Sequence, residues 1–340
     1  MKVAIDAMGG DHAPEEILLG AMAAVKDYGC DIVLVGDETL LREAMGKHGV
    51  REGEHIFVHH ASEVIDMHES PGAAVRKKRD ASVVVATRLV KEGECAAVIS
   101  AGSTGAAVAA ALFGLGRLPK IERATIATPI PNLTGTTMLL DSGANVDSKP
   151  KHLVQSAIMG SIYAKYVLGV ENPRVGLLSI GEEETKGNEL TLSTYPLLAQ
   201  VQNINFIGNI EGRDIPQGTV DVVVCDGFVG NVVLKFGEGL ASAIMRLLKD
   251  AVQQSGFLTK MASLMLLPVL KRLRKKLDYA EYGGAPLLGV NGCCIICHGS
   301  SKAKAIKNAV RVAKEFTEQQ VATHISEMIA KEEVLTHGGN

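Results

Sequence analysis

The chain has 340 residues, of which 46% are hydrophobic and 36 are glycine, and its formal net charge at pH 7 is -3. This length allows one large or two moderate domains, and the composition is typical of a compact α/β protein, which excludes a disordered or fibrous chain. The slightly acidic balance excludes a general affinity of the whole surface for nucleic acid. Asp6 interrupts the first apolar run before a signal-peptide core can develop, so we expect a cytoplasmic protein.

Apolar strand-like runs, glycine-containing turns and helix-forming stretches alternate along the chain. Lys2 to Asp6 is the first predicted strand, and a glycine turn at 7–14 leads into a helix that ends near Tyr28. The run 31–36 repeats this unit, with Asp37 as the predicted cap of the next helix. Later strands are followed by glycine turns at 181–189, 226–231 and 298–302, and the helix after the turn 226–231 is predicted to run through Met245. Because the carboxyl ends of parallel strands meet at one edge of a sheet, we expect these turns to form one site.

The segment 99–106 is the central unit of this pattern. An apolar strand ends at Ile99, and an alanine-rich helix former begins at Ala106. Between them, backbone N–H groups and hydroxyls would face the positive end of the helix dipole, which is an arrangement suited to phosphate. Glycine and serine also form ordinary turns and helix caps, so the spacing alone fits either interpretation. The candidate phosphate-binding residues are Gly102, Ser103, Thr104 and Gly105.

Two strand-like runs at 125–130 and 136–141 are joined by a short segment with a glycine, which predicts a β-hairpin. A basic run at 76–79 interrupts a helical stretch that begins near Pro71. Such a run is typical of a solvated face and also suits an acidic partner.

The stretch 257–277 combines apolar residues with a basic cluster. Its longest apolar run, Leu264 to Leu270, is too short to span a bilayer, which needs about 20 residues, and Pro268 is expected to bend it. Either it lies on an anionic membrane, or it packs as a helical hairpin on the core or on a second subunit. We define residues 250–282 as a protruding amphipathic hairpin within a single α/β domain of 1–340. The predicted membrane or carrier-protein contacts are Leu266, Leu270, Lys271, Arg272 and Arg274.

The six cysteines adjoin predicted buried strands and are expected to be reduced. Cys294, Cys297 and His298 match a haem-attachment spacing. They lie in a predicted strand, however, where positions three apart face opposite sides of the sheet. We therefore expect no haem, no metal and no other cofactor.

The sequence contains no nucleophile elbow, no Walker loop and no zinc-ligand helix pattern. The glycines at 114–116 follow a helix and precede Pro119, so they are not a dinucleotide fingerprint. Orthophosphate is largely dianionic at neutral pH and needs little activation to attack a thioester, whose thiolate leaves readily. The protein would then supply positioning and an oxyanion donor. Lys186 and Asn231 suit these tasks, although a solvated lysine and a helix cap are the ordinary alternatives.

Five segments together resemble the bacterial phosphate acyltransferase family (PlsX). They are DAMGGD at 6–11, ISAGSTGA at 99–106, DSGAN at 141–145, EETKGN at 183–188 and DGFVGN at 226–231. The resemblance covers nearly the whole chain, in order. It implies a Rossmann-like three-layer α/β/α sandwich with a mostly parallel sheet, and a homodimer.

The resemblance also implies a reaction. A long-chain acyl group passes from acyl carrier protein to orthophosphate, and the acyl phosphate serves a downstream glycerol-phosphate acyltransferase in phospholipid synthesis. Lys186 and Asn231 become the catalytic pair, and the hairpin becomes a peripheral membrane contact. Either basic cluster, 76–79 or 271–276, suits the acidic carrier protein. The remaining predicted substrate-pocket residues lie in the matched segments and in the turn 298–302: Asp6, Gly9, Gly10, Asp11, Asn145, Asp226, Gly227 and Ser300.

Two other functions stay open at this stage. One is a phosphotransacetylase that uses small acyl-coenzyme A thioesters. The other is a non-catalytic scaffold that brings lipid enzymes to a membrane through residues 257–277. Loss of function in Lys186→Ala would favour either enzyme over the scaffold.

Overall fold

The computed structural model describes residues 1–332, apart from the side chains of Leu258, Thr259, Lys260, Leu264, Arg274 and Leu277. The strands in chain order are β1 (Lys2–Asp6), β2 (Asp31–Gly36), β3 (Ile56–His60), β4 (Ala97–Ser100), β5 (Thr125–Ile126), β6 (Thr128–Pro131), β7 (Thr136–Leu140), β8 (Arg174–Leu178), β9 (Asn205–Ile210), β10 (Val222–Val224), β11 (Ala285–Leu288) and β12 (Cys293–Ile296).

The helices in chain order are α1 (Glu15–Tyr28), α2 (Glu38–Lys47), α3 (Pro71–Lys77), α4 (Ser82–Lys91), α5 (Thr104–Gly114), α6 (Pro150–Tyr166), α7 (Glu189–Leu198), α8 (Asp214–Gln217), α9 (Gly227–Gln254), α10 (Phe257–Leu277), α11 (Tyr279–Tyr282), α12 (Ala303–Glu318) and α13 (Val321–Lys331).

Seven strands form a first sheet in the order β3-β2-β1-β4-β12-β11-β5. The pairs from β3 to β12 are parallel, and β11 is antiparallel to both of its neighbours. Alternate residues of each strand enter different cores. Val3 and Ile5 belong to a buried cluster with residues of α1 and α12, whereas Ala4 belongs to a second cluster with residues of α4 and α5. This sheet is therefore covered by helices on both faces, as the predicted three-layer α/β/α fold requires.

A second sheet has the order β6-β7-β10-β8-β9, with β7, β10, β8 and β9 parallel. β6 pairs antiparallel with β7, which confirms the predicted β-hairpin. Met138 and Val175 of this sheet share a buried cluster with Val3 of the first sheet and with most of α6. The α/β class and the mostly parallel pairing are confirmed, and the strands are distributed over two sheets.

Helix α9 continues to Gln254, well beyond its predicted end at Met245, and α10 packs against it. Only Gly227 and Gly230 of α9 are buried. The exposed hairpin thus comprises α9 and α10 and begins N-terminal to the predicted boundary at residue 250. Pro268 lies inside α10 and does not end it.

Large apolar side chains of this hairpin face outward. Among the described residues, α9 is the one helix that is long and apolar enough, by length and composition, to cross a membrane, and 6% of its apolar window is buried. The exposed large apolar residues of the hairpin that the structure describes are Phe228, Val232, Phe236, Leu240, Ile244, Leu247, Leu248, Phe257, Met261, Met265, Leu266, Leu267, Val269 and Leu273.

Candidate active site

Three turns of the first sheet meet beyond the carboxyl ends of β1, β4 and β12. A Cβ atom on Gly9 would lie 2.8 Å from the backbone nitrogen of Gly102, so this approach requires glycine. The backbone N–H of Asp11 donates to the carbonyl of Gly299 at 2.8 Å. The structure therefore joins the turns at 7–14, 101–105 and 298–302, as the parallel arrangement predicts.

Asp6 lies beneath this junction and is 2% exposed. Its carboxylate accepts hydrogen bonds from the hydroxyls of Ser82 (2.6 Å) and Ser100 (2.7 Å) and from the backbone of Met8 (3.3 Å). Burial raises the pKa of the Asp6 carboxyl, although these donors oppose the shift. Ser100 also accepts from the N–H of Gly102, so Asp6 supports the predicted phosphate loop from below.

The predicted phosphate loop forms the start of α5. Ser103 caps this helix, since its hydroxyl accepts from the N–H of Ala106 at 3.4 Å. Gly105 packs against α3, where an added Cβ would lie 2.6 Å from Cγ of Pro71. Thr104 is exposed and Gly102 is half-buried. The loop therefore presents the N-terminal end of α5 to solvent, which is the geometry that binds anions.

Asp141 organises the corresponding edge of the second sheet. Its buried carboxylate accepts from the backbone N–H groups of Ile126, Gly143, Ala144 and Asn145 and from the side-chain amide of Asn145. Burial raises the pKa of the Asp141 carboxyl in spite of these five donors. Asn145 is thereby held in the turn after β7, where its amide also donates to the carbonyl of Ala124.

The first turn of α9 packs directly on this Asp141 turn. Asp226 caps the helix by accepting from the N–H groups of Phe228 and Val229, both at 3.0 Å. Gly227 donates its N–H to the carbonyl of Asn145 at 2.8 Å. A Cβ on Gly230 would lie 1.9 Å from the carbonyl oxygen of Asp141. Glycine at these two positions lets the helix approach closely enough to place the next residue, Asn231, in the site.

Asn231 and two residues of the predicted phosphate loop, Thr104 and Gly105, line one cavity of about 410 Å³, whereas Gly102 and Ser103 do not line it. A Cβ on Gly143 would lie 3.6 Å from Asn231, so the turn after β7 forms part of the same wall. The cavity also has apolar walls and two tyrosines. Its lining residues are Thr104, Gly105, Ile126, Thr128, Pro129, Ser142, Gly143, Asn231, Leu234, Lys235, Glu238, Tyr279, Tyr282, Gly283, Gly284, Ala285, Ile296, Cys297 and His298.

Lys186 lies in the loop between β8 and α7 and is exposed. Its backbone is fixed, because its N–H donates to the carbonyl of Glu183 at 3.0 Å and its carbonyl accepts from the Ser179 hydroxyl at 3.1 Å. β8 is the parallel neighbour of β10, so this loop extends from the same sheet edge as the turn that carries Asn231. Lys186 does not line the cavity, and its catalytic role stays a prediction.

The other predicted pocket residues do not line the cavity. Asp11 is exposed beside the turn after β12, and Ser300 lies in that turn. Among the predicted contacts of the hairpin, Leu266, Lys271 and Arg272 are exposed and Leu270 is half-buried, whereas the side chain of Arg274 lies outside the described residues.

The two cysteines of the haem-like pattern, Cys294 and Cys297, are not arranged to bind one haem. Cys294 belongs to one buried cluster and Cys297 to the other, on opposite faces of the sheet, as the alternation predicts. Burial raises the pKa of each of these thiols to about 12, so both stay protonated. In the described part of the chain, no group of three or more His, Cys, Asp or Glu side chains is placed to hold a metal ion.

Sequence reasoning missed three aromatic residues of the cavity: Tyr279, Tyr282 and His298. The two tyrosines lie in the short helix α11, between the hairpin and β11. His298 was placed in the haem-like motif and in the turn 298–302, but only Ser300 of that turn was predicted to line the pocket. Its position directly after a predicted strand could have predicted a place in the cavity, because the other turns that follow strands also carry candidate site residues.

Comparison with known proteins identifies the family. A family model described as "Fatty acid synthesis protein" matches residues 1–324. A protein of Pelotomaculum thermopropionicum named phosphate acyltransferase is 58% identical over 340 residues, which cover 100% of this chain and 98% of that relative. The chain belongs to the phosphate acyltransferase family. A phosphate acyltransferase of Heliobacterium modesticaldum is 57% identical and covers 97% of this chain and 98% of its own length. As a member of this family, the chain is an enzyme that transfers an acyl group to phosphate.

Solved structures show the same fold at low sequence identity. A phosphotransacetylase from Streptococcus pyogenes superposes with a TM-score of 0.62 at 17% identity and covers 95% of this chain and 94% of its own. A phosphotransacetylase from Staphylococcus aureus gives 0.61 at 15% identity, with 94% of each chain covered. Phosphate acyltransferase and phosphotransacetylase thus share one architecture, which confirms the predicted fold.

Proposed function

We propose that this phosphate acyltransferase transfers a long-chain acyl group from acyl carrier protein to orthophosphate, and that the acyl phosphate enters phospholipid synthesis. The observation that carries the proposal is the single cavity that joins the N-terminal end of α5 to Asn231 and to apolar walls. An anion site beside apolar surface suits a phosphate that attacks a fatty thioester. Membership of an enzyme family disfavours the non-catalytic scaffold.

The chemistry follows from the residues of the cavity and the adjoining loops. Gly102 to Gly105 hold orthophosphate, and one phosphate oxygen attacks the thioester carbonyl. A carbon–oxygen bond forms, the carbonyl electron pair moves to the carbonyl oxygen, and on collapse the carbon–sulfur bond breaks. The thiol that leaves takes up the proton that the phosphate loses. In this scheme, Asn231 donates to the oxyanion, and Lys186 approaches from its neighbouring loop to balance the negative charge.

The carrier protein needs a basic surface near the cavity, and residues 76–79 supply one. They lie at the end of α3, whose first residue, Pro71, packs against Gly105. At 1.5 Å per residue, this seven-residue helix separates the basic run from the phosphate loop by about 10 Å. Within the run, Lys78 is paired with Glu69 at 2.6 Å, whereas Arg76, Lys77 and Arg79 are exposed. We therefore assign carrier-protein docking to this surface.

The hairpin of α9 and α10 is then available for a membrane and a second subunit. Its exposed apolar side chains are too numerous for a face that stays in water. Lys271 and Arg272 lie beside the apolar residues of α10, which is the arrangement that binds anionic lipid surfaces. We propose that part of this face contacts the membrane peripherally and part contacts the partner of a homodimer.

Hydroxylamine trapping tests the reaction, because hydroxylamine converts an acyl phosphate into a hydroxamate. The purified protein is mixed with orthophosphate and palmitoyl-acyl carrier protein, and the hydroxamate is compared with controls that lack enzyme or phosphate. We expect phosphate-dependent hydroxamate at a rate well above that obtained with acetyl-coenzyme A. The opposite preference would favour a phosphotransacetylase, and no product from either thioester would refute acyl transfer to phosphate.

A further inference from the structure

His298 lies in the cavity with the phosphate loop and Asn231, yet the reaction scheme above gives it no role. It follows β12, the strand next to β4, so its turn and the phosphate loop extend from the same sheet edge. The side chain is exposed rather than packed in the core. The imidazole is therefore accessible from the cavity.

The turn after β12 fixes which ring nitrogen of His298 carries the proton. Nδ1 accepts the backbone N–H of Ser300 at 3.2 Å and contacts the Ser300 hydroxyl at 2.8 Å. A backbone N–H can only donate, so Nδ1 must be the acceptor and the neutral imidazole carries its proton on Nε2. The network therefore assigns Nε2–H as a donor, on the ring edge turned away from the Ser300 backbone.

A second contact holds this arrangement from the side of α11. The Tyr279 hydroxyl lies 3.4 Å from the Ser300 hydroxyl, and the Tyr279 ring centroid lies 5.9 Å from that of His298. Tyr279 and His298 both line the cavity. The imidazole is thus oriented before substrate binds, which is the property that makes a hydrogen-bond donor effective in catalysis.

We propose that His298 is a second oxyanion donor of the acyl transfer reaction, acting with Asn231 on the carbonyl oxygen of the thioester. This inference rests on the proposed function. As the phosphate oxygen attacks, negative charge develops on the carbonyl oxygen, and Nε2–H donates a hydrogen bond to it. His298 keeps its proton throughout, because the thiol obtains its proton from the phosphate. The donor pair in the cavity is therefore Asn231 and His298, and Lys186 acts from outside its lining.

Two substitutions separate this role from a structural one. In His298→Gln, the amide nitrogen reaches the region of Nε2 and retains a donor there. In His298→Asn, the shorter amide replaces only the Nδ1 region, so it can still accept from Ser300 but leaves no donor at Nε2. We expect His298→Asn to lower kcat by about 10²–10³, with little change in KM for phosphate, and His298→Gln to recover most of the loss.

The assay uses the full-length protein and whichever thioester the wild type accepts in the hydroxylamine experiment, so failure of carrier-protein specificity does not affect it. Thermal unfolding midpoints equal to that of wild type show that both variants fold. Wild-type kcat in His298→Asn, an equal loss in both variants, or a change confined to KM for phosphate would each overturn the proposal. Alkyl and aryl thioesters are compared as well. An equal loss with both supports donation to the carbonyl oxygen, whereas a loss that disappears with the aryl thioester overturns it in favour of contact with the departing sulfur.

Discussion

Gly230→Ala is the most direct test of how the site is built. The added methyl group would lie 1.9 Å from the carbonyl oxygen of Asp141, 2.9 Å from its carbonyl carbon and 3.1 Å from Sγ of Cys225. The first two neighbours are backbone atoms, so no side-chain rotation relieves the clash, and α9 must move. Overpacking of this kind costs about 3 kcal/mol at the upper end of its usual range, and the higher helix propensity of alanine returns about 1 kcal/mol. We expect a net loss of about 2 kcal/mol in the free energy of unfolding.

The same movement should displace Asn231 from the cavity. Because we propose that Asn231 donates to the oxyanion, and a small misplacement of such a donor is costly, we expect kcat to fall by about tenfold or more. Gly239→Ala is the matched control, because it lies in the same helix and an added Cβ there meets no atom within 4 Å. It should raise stability by about 0.5–1 kcal/mol and leave activity unchanged. Urea unfolding and the hydroxamate assay measure both effects. If Gly230→Ala matches Gly239→Ala in stability and rate, the close packing of α9 on Asp141 does not position Asn231.

Three further predictions concern other parts of the molecule. Because the pKa of the Asp6 carboxyl is higher in the folded chain than its ordinary value, this group binds a proton more readily in the folded state. The free energy of unfolding should therefore fall as pH rises from the ordinary aspartate range through the folded pKa. Asp6→Asn should reduce this slope in urea unfolding, and an unchanged slope would contradict the raised pKa of Asp6. Lys186→Ala should lower kcat by about 10² or more, whereas the exposed Lys91→Ala should not, and equal rates would remove Lys186 from the mechanism. Reversing both charges in Lys271→Glu/Arg272→Glu should lower the affinity for anionic vesicles, measured by co-sedimentation, by at least about 30-fold, while acyl transfer in solution persists. Unchanged vesicle affinity would refute the proposed lipid contact.

The local units of the fold were predictable because their signals are local. An apolar run, two glycines and an alanine-rich stretch specify the β4–α5 unit without reference to the rest of the chain. The meeting of the turns followed from parallel pairing alone. Strand β11 was missed because Pro286 lies inside it, and proline is unusual within a strand. The division of the strands into two sheets depends on tertiary packing around α6, which no short stretch of sequence encodes.

The site was predictable in part for the same reason. Thr104, Gly105 and Asn231 share the cavity because each lies directly after a strand or in the first turn of the next helix. Lys186 lies deeper in a longer loop, where sequence does not fix the direction of the side chain, and the structure leaves it exposed. The length of α9 was underestimated because its C-terminal half makes few contacts with the core, and the sequence lacks a strong break before Ser255 and Gly256.

Helix α9 is continuous over 28 residues and extends from the candidate active site to the exposed apolar face of the hairpin. Asn231 lies in its first turns, and Leu247, sixteen residues later, is 67% exposed among the apolar side chains of the hairpin. At 1.5 Å per residue, the two positions are about 24 Å apart. Whatever surface covers those side chains therefore lies at a fixed distance from Asn231. A product with a long hydrocarbon tail would have only that distance to travel before it meets apolar surroundings, and little opportunity to escape into bulk water.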